Sequence, residues 1–237
     1  YLVQEWVEGQ TLRALLKDQG AFAEQRVQAL LGELLEILVY LHSRSPSIIH
    51  RDIKPSNVIL RPDGRATLID FGAGREVLDD SGSSTVVGTF GYMPPEQLRG
   101  RPVPSSDLYG LGATMCELLC NKQPADMPSR GAIFEIDFRP WCNISDGFAD
   151  ILQDMLRQEH SVRFQTAHEV LRALDQMDQG NTGRDTSKGE SRPDYTFDAD
   201  DTPAQPIPEP IPEPVPGSAM VRRATGVDAV VYSWFDL

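Results

Sequence analysis

The chain has 237 residues, 40% of them hydrophobic, which suits one cored domain with an extension. A formal charge of −13 at pH 7 argues against nucleic acid and an anionic membrane surface as partners, since both select clustered Lys and Arg. Cys116, Cys120 and Cys142 make neither a disulfide framework nor a metal-ligand spacing, and no apolar run is long enough to span a bilayer.

Leu2–Val7 reads as an apolar strand ending at Glu8-Gly9. Thr11 is placed to cap a short helix running through about Gln19. From Glu24 to Ser43, apolar residues recur at Val27, Leu30, Leu31, Leu34, Leu35, Leu38 and Leu41, a helical period. Two short strands are expected around Val58–Leu60 and Ala66–Ile69, joined by a Pro62-Asp63-Gly64 turn. A polar segment rich in Gly and Ser follows. Asp107–Leu119 is an apolar helical run, and its Cys116 and Cys120 share a face as small core residues. Ser145–Leu156 and Thr166–Met177 read as amphipathic helices.

Composition changes near Asp178. From there to Gly217 large apolar residues are scarce, too few to offset roughly 1–2 kcal/mol of backbone entropy per residue, so disorder is expected. Residues 206–216 form a Pro-Ile-Pro-Glu repeat that favours stiff polyproline II, a spacer or a ligand for an SH3- or WW-like domain. Residues 218–237 turn apolar again, and Arg222-Arg223-Ala224-Thr225 sets two Arg before a hydroxyl, which suggests a phosphorylation site at Thr225.

The chemistry concentrates between these elements. His50-Arg51-Asp52-Ile53-Lys54-Pro55-Ser56-Asn57 is followed by Asp70-Phe71-Gly72, then by Gly88-Thr89-Phe90-Gly91-Tyr92-Met93-Pro94-Pro95-Glu96. Each residue alone means little, because a lone Asp or Asn in a loop is usually a turn former. In this order and spacing they resemble the catalytic loop, metal-binding motif and A-P-E segment of the eukaryotic-type protein kinases. The resemblance covers about residues 1–177 and is similar to the cyanobacterial serine/threonine branch. Pro94 stands where the family has alanine.

The resemblance implies a mainly α fold, α+β by family: a protein-kinase-like C-terminal lobe with short β-hairpins, followed by a disordered Pro-rich tail. Residues 1–177 form hinge and lobe, 178–217 the acidic linker, and 218–237 a segment of unknown role. It implies transfer of the ATP γ-phosphate to Ser or Thr hydroxyls of proteins, with Mg2+ as the metal. Asp52 is expected to orient the hydroxyl and accept its proton, and Lys54 to balance charge beside the γ-phosphate. Asn57 and Asp70 are the implied magnesium ligands, hard oxygen donors in small number. Gln4 matches the gatekeeper. Adenine is expected on the backbone of Glu5 and Val7, above an apolar floor at Ile59.

Further roles follow from the same resemblance. His50 and Phe71 match apolar spine positions that pack rather than react. Arg51 is expected to clamp a phosphate on Ser81, Ser83, Ser84 or Thr85, and Thr89 to contact the catalytic Asp and Lys. Glu96 and Arg163 match a buried ion pair. Asp107 matches the helix-start aspartate that ties down the catalytic-loop backbone. The Gly-rich loop, strand lysine and helix glutamate of the small lobe have no counterpart in these residues. The chain by itself is therefore expected to be nearly inactive. A truncated, non-catalytic scaffold is the rival reading, opposed by intact Asp52, Lys54, Asn57 and Asp70. A small-molecule kinase is opposed by the G-T-x-x-Y segment. A cytoplasmic location is expected, with membrane tethering of a longer parent left open.

Overall fold

The computed structural model describes residues 6–70, 91–130 and 135–182. Strand β1 (Gln10–Thr11) leads into helix α1 (Leu12–Gln19), then α2 (Glu24–His42). A short 3-10 turn at Pro55–Asn57 precedes β2 (Val58–Leu60) and β3 (Ala66–Leu68). Helices α3 (Pro95–Leu98) and α4 (Pro104–Cys120) follow, then β4 (Ser129–Arg130), β5 (Glu135–Ile136), α5 (Asp146–Met155) and α6 (Ala167–Thr182).

The helix starts follow local chemistry. Thr11 holds an extended backbone and its hydroxyl accepts from the Ala14 amide at 3.2 Å, satisfying one of the donors a helix N-terminus orphans. Ser145 caps α5 likewise, accepting from Phe148. Helix α4 begins three residues before the expected Asp107, because Pro104 is pre-set for the first turn and lacks the amide that is orphaned there anyway. Helix α6 runs to Thr182, five residues past the expected boundary at Met177. Gln176, Met177, Asp178 and Gln179 continue the turn, since a shift to polar composition does not itself end a helix.

The core is helical. Every apolar position counted on α2 is buried, and Ile37, on the same face between Leu34 and Leu41, is buried too. Helix α4 is buried along its whole length from Ser105 to Leu119. Its Gly110 lets the backbone of Ile53 lie against it: a Cβ there would stand 3.2 Å from the Ile53 carbonyl oxygen. The loop between α2 and β2 therefore rests on the most buried helix of the lobe.

The small sheet is antiparallel in the order β1-β2-β3, with Thr11 opposite Ile59 and Ile59 opposite Thr67. Of the expected first strand, Leu2–Glu5 lie outside the described residues and Trp6 and Val7 are not strand; the pairing on β2 comes from the later Gln10–Thr11. Gly9 has φ 140°, and a Cβ there would fall 2.3 Å from the Leu60 carbonyl oxygen and 2.7 Å from Ile59 Cγ2. Only glycine allows that backbone to lie directly on the β2 strand. The β4–β5 hairpin was not expected from sequence; its strands are two residues each, too short to show a period. No helix among the described residues is long and apolar enough to cross a membrane.

Candidate active site

The loop from His50 to Asn57 is held from below by a single carboxylate. Asp107, on the first turn of α4, accepts the backbone amide of His50 at 2.9 Å on Oδ2 and that of Arg51 at 2.8 Å on Oδ1. His42, the last residue of α2, reaches the same Oδ2 at 2.9 Å through Nε2. The expected tie from Asp107 to the loop backbone is thus present, and His42 is an additional partner.

Arg51 has φ 70°, an unfavourable region for a long side chain, with a cost of about 1–3 kcal/mol. Such a conformation persists only where neighbours over-determine it. Here the Arg51 amide donates to Asp107, and its carbonyl accepts from Gln97 Nε2 at 2.5 Å. Helices α4 and α3 therefore grip the two sides of one strained residue, and Asp52 follows it directly.

His50 is fully buried. Its Nδ1 accepts the Asp52 amide at 3.3 Å and its Nε2 lies 3.0 Å from the Ile69 carbonyl, which assigns the Nε2–H tautomer. Burial lowers its pKa against the opposing charge of Asp107, so the ring is neutral. It packs and bridges the loop to the residue before Asp70, as the spine expectation required.

Asp52 is 7% exposed. Lys54 Nζ stands 2.7 Å from its Oδ2, and Asn57 Nδ2 donates to the same Oδ2 at 2.8 Å and to the Asp52 carbonyl at 2.8 Å. Among the described residues no donor reaches Oδ1. Because the Asn57 nitrogen is turned to Asp52, its amide oxygen points the other way. The Ile69 amide donates to the Asn57 carbonyl at 2.9 Å, extending the β2–β3 ladder by one step. That register brings Asn57 and Asp70 to the same end of the hairpin. Asp70 is exposed with φ 61°. Ile59 lies two residues along β2 from Asn57, under Gly9, and Val7 is half-buried just upstream.

Asp52, Lys54, Asn57, Ile59 and Asp70 are therefore brought together around the loop and hairpin. Gln4, Glu5, Phe71, Gly72, Thr89 and the hydroxyls of Ser81, Ser83, Ser84 and Thr85 lie outside the described residues. So do the proline repeat and Thr225.

Below the site, Glu96 and Arg163 form the expected ion pair at 2.7 Å, the side chains 9% and 0% exposed. Arg163 also donates to the carbonyls of Ser105, Arg157 and Gln158, and Ser106 Oγ donates to Glu96 Oε1 at 2.8 Å. For Glu96, burial raises the pKa, but the bond to and charge of Arg163 outweigh it and the net shift is downward.

One cluster escaped sequence reasoning. Glu117, buried on α4, binds Arg13 of α1, and Tyr92 donates to its Oε2. Arg13 also donates to the Tyr92 oxygen at 3.1 Å. Burial, and then the bond to Glu117, raise the Tyr92 pKa, so its hydroxyl keeps its proton. A lone Glu inside the apolar run Met115-Cys116-Glu117-Leu118-Leu119 was the available signal, since a buried charge needs a partner.

A helical lobe whose strained loop presents a carboxylate, a lysine and an amide at the end of a β-hairpin is the large-lobe arrangement of the protein kinases. The protein kinase domain family matches residues 1–174, and the chain belongs to it. It is 49% identical over 183 residues to serine/threonine-protein kinase PknA of Nostoc sp., covering 73% of this chain and 32% of that protein. It is 40% identical over 186 residues to serine/threonine-protein kinase B of Synechocystis sp., covering 74% and 32%. An Aurora kinase of Yarrowia lipolytica is 34% identical over 170 residues, covering 69% and 45%. The chain thus spans about a third of the two cyanobacterial relatives. The family implies ATP, a divalent metal and protein substrates.

Proposed function

We propose that this chain supplies the catalytic large lobe of a serine/threonine protein kinase that moves the ATP γ-phosphate to protein hydroxyls with Mg2+ as the metal. The observation that carries the reading is the Asp52 carboxylate: Lys54 and Asn57 occupy Oδ2, and Oδ1 has no donor among the described residues. That oxygen is the acceptor for a substrate hydroxyl proton.

The residues fit the metal and nucleotide by donor chemistry. Asn57 offers its amide oxygen and Asp70 a carboxylate, two hard donors at one hairpin end. Among the described residues no group of three or more His, Cys, Asp or Glu forms a protein-only metal cage. A two-ligand site completed by phosphate and water suits magnesium, which dehydrates reluctantly. Bound there, the metal neutralises charge on the phosphate oxygens. Lys54 adds a positive charge beside Asp52, the clamp on Arg51 fixes where Asp52 points, and the Ile59–Gly9 surface gives the base an apolar floor. Val7, with Glu5, supplies backbone partners to adenine in this reading.

The test is Asp52→Asn in a version of the protein that carries an upstream small lobe, with turnover and nucleotide affinity measured separately. Turnover falls by about 10²–10⁴, the range a positioned base contributes, and nucleotide affinity is retained. Turnover like the wild type removes Asp52 from this role. In parallel, Asn57→Ala and Asp70→Ala raise the magnesium requirement, and unchanged titrations in both remove them from the metal site.

A further inference from the structure

Two of the three cysteines meet in space. Cys120 is the last residue of α4, where Asn121 turns left-handed (φ 48°) and ends the helix. Cys142 follows the short 3-10 turn at Arg139–Trp141, before α5. Both thiols point at one acceptor: Cys142 Sγ lies 3.6 Å and Cys120 Sγ 3.8 Å from the carbonyl oxygen of fully buried Phe138. Sharing one acceptor oxygen makes the two sulfurs neighbours. Both residues are half-buried, whereas Cys116, one turn earlier on α4, is fully buried. Cys116 is thus the core residue expected, and Cys120 packs partly buried against that core.

We propose that Cys120 and Cys142 are a dithiol modification site, which a low-molecular-weight disulfide of the glutathione type converts into an intramolecular disulfide joining the end of α4 to the segment before α5. Thiol–disulfide exchange needs a thiolate, a path to the partner sulfur, and a second thiol near enough to resolve the mixed product. The structure supplies the second thiol already in place.

Cys142 is the first nucleophile. Burial raises its pKa, but the bond to Cys120 and the charge of Arg139 act against that shift. Burial raises Cys120 further, and burial raises Cys116 most firmly of the three. Cys142 gives its proton to water, and its sulfur attacks one sulfur of the small disulfide. The old S–S bond breaks and the departing thiolate is protonated. Cys120 then loses its proton and attacks the Cys142 sulfur, expelling the second small thiol. The balance is two protein thiols plus one small disulfide giving one protein disulfide plus two small thiols. Raised pKa values make the bridge slow to form. They also make its sulfurs poor leaving groups, so it resists reduction once made.

The experiment treats the folded 237-residue chain with rising oxidised glutathione at mildly alkaline pH. The reaction is quenched in acid, free thiols are alkylated, and the chain is digested without reductant for mass spectrometry. The expected product is a linked peptide pair, two hydrogens lighter than its parts, with fragmentation assigning Cys120 to Cys142. Alkylation at these two residues is lost together, and Cys116 is alkylated only after denaturation. Cys120→Ser, which removes the resolving thiol, accumulates a stable glutathione adduct on Cys142. Three outcomes overturn the proposal: a persistent Cys142 adduct in the wild-type chain with no bridge, a bridge that contains Cys116, or both thiols still freely alkylated at the highest disulfide concentration. The wild-type map decides the matter even where the variant fails to fold.

Discussion

The catalytic loop and the Glu96–Arg163 pair are both buried charge clusters on the same helical base, yet they are built to opposite ends. Around Arg163 each guanidinium nitrogen has a partner: the Glu96 carboxylate or a carbonyl of Ser105, Arg157 or Gln158. Around Asp52 the donors crowd one carboxylate oxygen, and Oδ1 has no donor among the described residues. The saturated cluster resists change in its surroundings. The unsaturated one is held from outside, by Asp107 and Gln97 acting on backbone, which leaves its own side chains available for the chemistry proposed above. Burial of charge therefore does not mark a reactive site; an unused lone pair on a rigid mount does.

The sharpest way to break this contrast is Arg163→Ala. It strands the Glu96 carboxylate in the interior, and removing one member of a buried pair costs about 3–5 kcal/mol, read in urea unfolding. Acid separates the two regions further. The His50 pKa is lowered on folding, so below about 6.5 the unfolded chain takes up a proton that the folded chain refuses, and stability falls as pH drops. The Glu96 pKa is also lowered, so its contribution is present above 4.5 and is lost as pH falls through the folded value. A stability curve against pH accordingly declines in two stages. Arg163→Ala removes the lower stage, because burial acting alone raises the Glu96 pKa. A lower stage that survives in Arg163→Ala assigns it to other carboxylates.

Asp107→Asn is the next largest change. The amide can keep one oxygen on Oδ2's two donors, His50 and His42, but then turns its NH2 toward the Arg51 amide. Losing a charge-assisted bond costs about 1.5–3 kcal/mol. The expected signature is faster hydrogen exchange at Arg51 with the Glu96–Arg163 region unchanged. Equal loosening in both regions breaks the distinction drawn between them.

How far the sequence carried the reading follows from how local each constraint is. The loop that carries Asp52, Lys54 and Asn57 was legible as a motif because its residue types and spacing are those phosphoryl transfer is proposed to use, and α1 because a threonine before an apolar repeat has an evident use at a helix start. The α2 period placed seven core residues correctly, and Ile37, three residues past Leu34 and four before Leu41, belongs to the same buried stripe. Contacts across long separations left no periodic trace. Arg13 with Glu117, His42 with Asp107, and Cys120 with Cys142 are chosen by the fold, which brings distant ends of helices together. Glu33 accepting the Ala66 amide at 2.8 Å is a further case, a side chain completing a strand edge from a neighbouring helix.

Thr11→Ala carries the smallest expected effect and tests whether the hinge side of the lobe is coupled to catalysis or only to stability. Thr11 has two roles: its backbone pairs opposite Ile59, and its hydroxyl caps α1. Alanine keeps the first and deletes the second. Loss of a threonine cap costs about 1 kcal/mol, or ~2–4 °C in melting for a chain of this size. Helix α1 does not come away, because Leu12, Leu15 and Leu16 are buried and Arg13 is tied to Glu117. The floor at Ile59 keeps its register with β1. The melting point therefore drops and turnover, measured with an upstream small lobe, holds. Thr11→Ser restores the acceptor and the melting point, whereas Thr11→Val, of similar shape with no acceptor, does not. A fall in turnover that tracks the lost cap means the start of α1 positions the Ile59 surface, and the site then extends beyond the residues that touch Asp52.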